Sequence, residues 1–281
     1  MPYRAILIDI DGTLVNGKKQ ITPRTREALL TVQEAGVRLV LASGRPAQGV
    51  AQFGEVLGMP RHGGLYCCSN GARVLRADTG EILFDQVIPQ AEVAAVLRHL
   101  TKFDVTPMVA SGAYMYVPDV FRNTITYQGK PFAIMQYESR SNGYLLCEAR
   151  DMAETCTFPV NKILTFGEPA YLEAHAEEMA APFSGRVNAM FTAPYYFEYT
   201  APGIDKAKSL STVLTALSYA PEELMAFGDA QNDLSMLRLA GLGIAMGNAV
   251  PAMKEAADEV TASNEEDGIA EALIRHFPAL F

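Results

Sequence analysis

A two-part α/β fold, with a parallel-sheet core interrupted by an α+β insert, is predicted from three observations on this chain of 281 residues. A strand, helix, strand rhythm opens the chain. The same rhythm returns near its carboxyl end. The stretch between them mixes helices with short alternating strands and does not continue the rhythm.

Taken in order, "RAILIDID" is a short β-branched apolar run, "TPRTREALLTVQEAG" reads as an amphipathic helix closed by Gly36, and "VRLVLASGR" is a second apolar run ending in small polar residues. Two such runs joined through a helix form a right-handed βαβ unit, which requires parallel strands. Near the other end come a helix from about Lys206 to Tyr219, the strand "ELMAFGDA", the helix "NDLSMLRLAG", the strand "LGIAMG", the strand "DEVTA" and a last helix, "DGIAEALIRHF". The insert carries the helices "PQAEVAAVLRHLTKF" and "PAYLEAHAEEMAA" and the strands "VTPMVAS", "AYMYVP" and "VNKILTFG". "ASGAY" at 110–114 and "RSNG" at 140–143 read as turn-like loops. The expected division is a core of residues 1–83 and 197–281 with an insert of residues 84–196.

Composition narrows the function classes. The chain is 49% hydrophobic and 20% charged, as expected of a globular enzyme with a sizeable core. Its net charge of −9 is spread along the chain, which argues against general affinity for nucleic acid or an anionic membrane surface. No apolar run approaches the length of a membrane span, and the first strand begins too early to leave room for a signal peptide. A cytoplasmic protein is expected. Cys67, Cys68, Cys147 and Cys156 lack paired metal spacing, and the first two read as buried thiols. The four histidines also lack metal spacing, and "GLGIAMG" at 241–247 departs from the dinucleotide-binding pattern.

Chemistry concentrates at the carboxyl ends of the core strands, where an open parallel sheet gathers its loops. Asp9 and Asp11 follow the first strand, Ser43, Gly44 and Arg45 the second, and Asp229, Asn232 and Asp233 a later one, while Lys206 opens a helix. Several carboxylates beside one ammonium repel one another unless a cation or proton intervenes. Oxygen-only ligands of this kind favour Mg²⁺.

The order "DIDGTL", "LASGR", Lys206 in "APGIDKAKSL" and "GDAQND" resembles the four motifs of the haloacid dehalogenase (HAD) superfamily, and "SNGA" at 69–72 resembles the turn that precedes the cap. The likeness is to the Cof-type phosphatases, with a large C2-type (class IIB) cap between the second and third motifs. Serine stands at position 43 where many relatives carry threonine, and Ala207 replaces a common glycine, with Lys208 adding a second ammonium.

The resemblance implies a Rossmann-like core and an aspartyl-phosphate mechanism. Asp9 is the implied nucleophile and Asp11 the acid–base. The implied Mg²⁺ ligands are Asp9, the Asp11 backbone carbonyl and Asp229, with Asp233 linked through water. Ser43, the Gly44 amide, Lys206 and Asn232 are the implied phosphate contacts. The substrate expected is a small phosphorylated metabolite, with sugar phosphates first. A phosphomutase or phosphotransferase using the same intermediate remains open, as does a non-catalytic phosphoacceptor.

Overall fold

In the computed structural model, which describes residues 3–281, the apolar run after Arg4 forms strand β1 (Ala5–Ile8), buried along its whole length. The helix Pro23–Glu34 follows. Thr22 caps it through an Oγ1 that accepts the Thr25 amide at 3.3 Å, and Pro23 occupies the first turn, where a missing N–H costs nothing. Its Ala28, Leu29 and Val32 face the sheet, and Gly36, with φ of +92°, turns the chain into β2 (Arg38–Ala42). A second helix, Ala47–Val56, leads to β3 (Leu65–Cys68). These three strands run parallel. The chain then reverses into β4 (Arg73–Arg76) and β5 (Ile82–Asp85), which pair antiparallel and were not foreseen from the sequence.

Contacts divide the described residues into two units, one running up to Asp85 and resuming at Asp205–Phe281, the other Gln86–Ile204. The inserted unit has eight strands: β6 (Thr106–Ser111), β7 (Tyr114–Val117), β8 (Ile125–Tyr127), β9 (Lys130–Phe132), β10 (Leu145–Glu148), β11 (Lys162–Phe166), β12 (Asn188–Ala193) and β13 (Tyr196–Thr200). Six make a sheet ordered β10-β7-β6-β11-β13-β12, and β8 and β9 form a separate hairpin. The helices Gln90–Leu100 and Pro169–Ala180 supply Val93, Val96, Leu97, Leu172 and Met179 to a core shared with Val109, Ile163, Phe197 and Tyr199. Alternate sheet positions, among them Met108, Met115, Phe166 and Tyr196, pack with the hairpin and the helix Ile134–Asn142. This is the α+β arrangement expected.

Two sequence readings are corrected here. The expected return join at 196/197 falls at the start of β13, which pairs with β11 and β12, so the insert continues to Ile204. "RSNG" is the last turn of a helix closed by Gly143 in the left-handed conformation, and Asn142 is buried with its amide on Glu138. Asn142 is therefore a packing residue.

The chain returns through the helix Lys206–Ala216 to β14 (Leu224–Gly228), β15 (Leu242–Ala245) and β16 (Glu259–Val260). These extend the first sheet to eight strands, ordered β16-β15-β14-β1-β2-β3-β4-β5. β1 lies at the middle, parallel to β14 and β2, and the helices Pro23–Glu34 and Gly268–His276 pack together on one face. No helix among the described residues is long and apolar enough to cross a membrane.

Candidate active site

Three neighbouring strands, β14, β1 and β2, end together and deliver the polar groups. Asp9 continues the ladder past β1, its amide donating to the Phe227 carbonyl at 3.1 Å. Ser43 continues β2 in the same way, its amide donating to the Cys67 carbonyl at 2.9 Å. Asp229 follows β14 directly. Because each residue leaves its strand within one position of the last ladder bond, their side chains start from a rigid edge.

Lys206 lies within this group. It opens its helix behind Asp205, whose carboxylate caps the helix by accepting the Lys208 amide at 3.0 Å. The Lys206 ammonium is fully buried and donates to Asp9 Oδ1 at 2.7 Å, Asp233 Oδ1 at 2.6 Å and the Ala42 carbonyl at 3.0 Å. Those three bonds match its three N–H groups. Burial alone would push its pKa down, but the charges of Asp9 and Asp233 outweigh it and the lysine is held charged. Lys208, the other ammonium of the motif, is exposed.

The carboxylates are placed differently from one another. Asp233 is fully buried, with one oxygen on Lys206 and the other accepting the amides of Asp229 at 3.2 Å and Ala230 at 3.1 Å. Asp229 accepts the Thr13 hydroxyl at 2.9 Å. Gly12 makes that approach possible: its φ is +88°, and a Cβ there would lie 2.4 Å from Asp229 Oδ2. Burial pushes Asp9 up to about 8 even though Lys206 pulls it down, and Asp233 and Asp229 push it further up. Asp229 is raised too, chiefly by burial. Oxygens of Asp9, Asp229 and Asp233 all lie within 4.8 Å of one another. Three carboxylates against one ammonium fit a divalent cation that binds hard oxygen ligands, so the donor chemistry suits the metal expected.

Asp11 stands apart from that cluster. Arg45 grips it in a two-point fork, Nε to Oδ2 at 2.6 Å and Nη2 to Oδ1 at 2.8 Å, and Lys19 reaches Oδ1 at 2.7 Å. Burial would raise its pKa, but the bonds to Arg45 and then Lys19 overcome this and hold the carboxyl at about 2.

The remaining expected residues converge on Asn70. Its amide donates to the Ser43 carbonyl at 2.9 Å, its side-chain oxygen accepts from Asn232 at 3.1 Å, and a Cβ on Gly44 would lie 3.2 Å from its side chain. Asn70 adopts φ of +57°, a conformation asparagine tolerates better than most residues. The Ser43 hydroxyl is buried and accepts the Arg45 amide at 3.2 Å. All eight expected residues thus meet at one edge of the first unit's sheet.

Sequence reasoning assigned no role to Arg45, Lys19, Thr13 or Asn70. Arg45 directly follows the serine and glycine of its motif, a position that was visible. Lys19 carried no signal, because its placement depends on a turn in which Asn16 accepts the amides of Lys18 and Gln20 and Lys19 itself adopts φ of +59°.

A family model described as haloacid dehalogenase-like hydrolase matches residues 6–273. A solved haloacid dehalogenase-like hydrolase from Bacteroides thetaiotaomicron has a TM-score of 0.90 and 36% identity, covering 98% of this chain and 100% of that one. The HAD subclass IIB sugar phosphatase BT4131 gives a TM-score of 0.76 at 28% identity, covering 99% and 100%. The 5-amino-6-(5-phospho-D-ribitylamino)uracil phosphatase YcsE of Bacillus subtilis is 29% identical over 274 residues, which is 98% of this chain and 95% of the relative. The chain belongs to the haloacid dehalogenase-like hydrolases and is an enzyme of their phosphatase class.

Proposed function

We propose that this enzyme is a Mg²⁺-dependent phosphomonoesterase of small phosphorylated metabolites, sugar phosphates first, working through an aspartyl-phosphate on Asp9. The observation that carries the reading is the buried Asp9–Lys206 pair set against two further carboxylates at the edge of the sheet. Asp9 attacks phosphorus, and the ester bond to the leaving oxygen breaks as the acyl-phosphate bond forms. Asp11 supplies the proton to the leaving alkoxide and takes one from the hydrolytic water. Its resting state, an anion in the Arg45 fork, is ready for the base step, so the donor step needs the fork to open. Ser43, the Gly44 amide, Lys206 and Asn232 surround the phosphoryl oxygens and neutralise charge as it spreads there. Asp9, the Asp11 carbonyl and Asp229 would hold the metal, and Asp233 would support it through a water. When bound, Mg²⁺ supplies further neutralisation of the phosphoryl charge.

The substrate class draws on the names of two relatives, a sugar phosphatase and a phosphatase of a phosphoribityl compound. The inserted unit is read as the cap that selects the leaving group.

The test is phosphate release from a panel of phosphorylated sugars, nucleotides and cofactors by EDTA-stripped enzyme, with and without added metal. Mg²⁺ restores turnover and Ca²⁺ restores little, since looser Ca²⁺ coordination misplaces the attacking carboxylate. Full activity in excess EDTA overturns the metal reading. Phosphate transfer to added sugar alcohols with no release to water replaces the hydrolase by a phosphotransferase.

A further inference from the structure

Four carboxylates, Asp9, Asp11, Asp229 and Asp233, are brought to one edge of the sheet, yet three of them converge and one does not. The exception is not explained by distance along the chain. Asp11 is two residues from Asp9, and the segment containing it packs on Asp229, as the Thr13 hydroxyl bond and the closeness of Gly12 to that carboxylate require. Its charge is felt at Asp229. With a divalent ion held by those three carboxylates, a free aspartate beside them would add its oxygens to the ion, the strongest opposite charge within its reach.

Two cations prevent this. The Arg45 fork fixes both oxygens of Asp11 at once and so sets the plane of the carboxylate as well as its position. Lys19 adds a third bond, to the Oδ1 that Arg45 Nη2 also holds. Arg45 is itself held: its side chain is only 13% exposed, its amide rests on the Ser43 hydroxyl and its guanidinium lies 5.3 Å from the Phe53 ring centroid. Lys19 is half exposed but lies in a turn fixed by Asn16 and by the Gly17 amide, which donates to Glu265 at 2.6 Å. A mere surface ion pair would lack such supports.

We propose that Arg45, assisted by Lys19, is a positioning residue that holds the resting Asp11 carboxylate out of the carboxylate cluster, so that it is released from the fork to the leaving group instead of becoming a metal ligand. The inference rests on the function proposed above and adds to it the device that divides four similar carboxylates between two tasks. Without the clamp, Asp11 would join the cluster, tightening cation binding and removing the acid–base from its place. The same substitution would then strengthen one property and weaken another, which loss of a simple structural contact does not do.

The experiment is a double-mutant cycle read by titration calorimetry with Mg²⁺ alone, on metal-stripped wild type, Arg45→Gln, Asp11→Asn and the double variant. Arg45→Gln is expected to bind Mg²⁺ about tenfold more tightly than wild type, and the gain should vanish when Asp11 is already Asn. If Arg45→Gln tightens binding equally in both backgrounds, it acts only by removing a positive charge, and the proposal is overturned. A second readout uses esters: Arg45→Gln should lower kcat on an alkyl phosphate by roughly two orders of magnitude and on p-nitrophenyl phosphate far less. Arg45→Lys keeps the charge but not the fork, and should remain impaired on the alkyl ester. A rise in KM alone, equal for both esters, makes Arg45 a substrate contact and overturns the positioning role. Lys19→Gln, at a half-exposed side chain, should show the same pattern at smaller size and guards against a misfolded Arg45 variant. Wild type that binds no Mg²⁺ sinks the metal reading itself, a failure distinct from any difference between variants.

Discussion

Lys206 and Asp11 illustrate how much a single side chain's surroundings decide. Lys206→Met leaves Asp9 and Asp233 buried without their cation, a loss on the order of 3–5 kcal/mol for a broken buried pair, and urea unfolding should show it. Turnover should fall by about two to three orders of magnitude or more, since a preorganised charge beside the phosphoryl group is gone. Retained stability in that variant would mean that the pair is not the anchor its geometry indicates. Asp11→Asn keeps the nucleophile but cannot exchange a proton. Its first step on alkyl phosphates should drop by roughly two to four orders of magnitude, whereas p-nitrophenolate leaves without help. A burst of p-nitrophenol near one equivalent, followed by a slow steady state, is expected, and equal rates on both esters without a burst would remove Asp11 from acid–base work. Most of this site could be read from the sequence, because each motif places its polar residue within one or two positions of an apolar strand. The Arg45–Asp11–Lys19 clamp could not, because it joins residues 8 and 34 apart through a turn whose shape only the fold supplies.

At the scale of elements, the strand ends and helix starts carry the site, and small changes there are felt at once. Gly12→Ala would need a left-handed conformation and would drive a methyl into Asp229, so metal affinity should fall together with stability. Unchanged Mg²⁺ binding in that variant would show that the loop gives way. Thr22→Ala removes the cap of the helix Pro23–Glu34 and should cost about 1 kcal/mol in unfolding experiments. The core's first βα unit and its return were legible because their strands are unbroken apolar runs that alternate with helices. The short β4 and β5 were not: "RVLR" is half charged, "ILFD" is four residues ending in an aspartate, and only pairing along the edge of a completed sheet makes strands of them. Asn142 is the opposite case. A serine, asparagine and glycine run looks like a loop, yet the left-handed Gly143 simply ends a helix there. Asn142→Ala should therefore lower the melting temperature with little change in substrate preference, whereas a change at Tyr114, 45% exposed at the start of β7, should alter preference more than stability. A reordered substrate profile with unchanged melting in Asn142→Ala would contradict this division.

Across the whole molecule, the chain leaves its first unit after Asp85 and returns at Asp205, so the residues of the site come from segments almost 200 positions apart: Asp9 and Lys206 are separated by 197. That discontinuity was visible as a change of rhythm, but its far edge was not, since β13 is a short, fully buried strand like those of the core and only its partners assign it. The central claim is that this assembled edge exists to form a phosphoryl bond to Asp9. The direct measurement mixes Asp11→Asn with p-nitrophenyl phosphate and Mg²⁺, quenches in acid within the burst and sequences the phosphorylated peptide by mass spectrometry. The account predicts one phosphoryl group on Asp9, absent from an Asp9→Asn, Asp11→Asn control. Turnover with no phosphoryl group on Asp9 at any quench time, or steady turnover by Asp9→Asn itself, would contradict it.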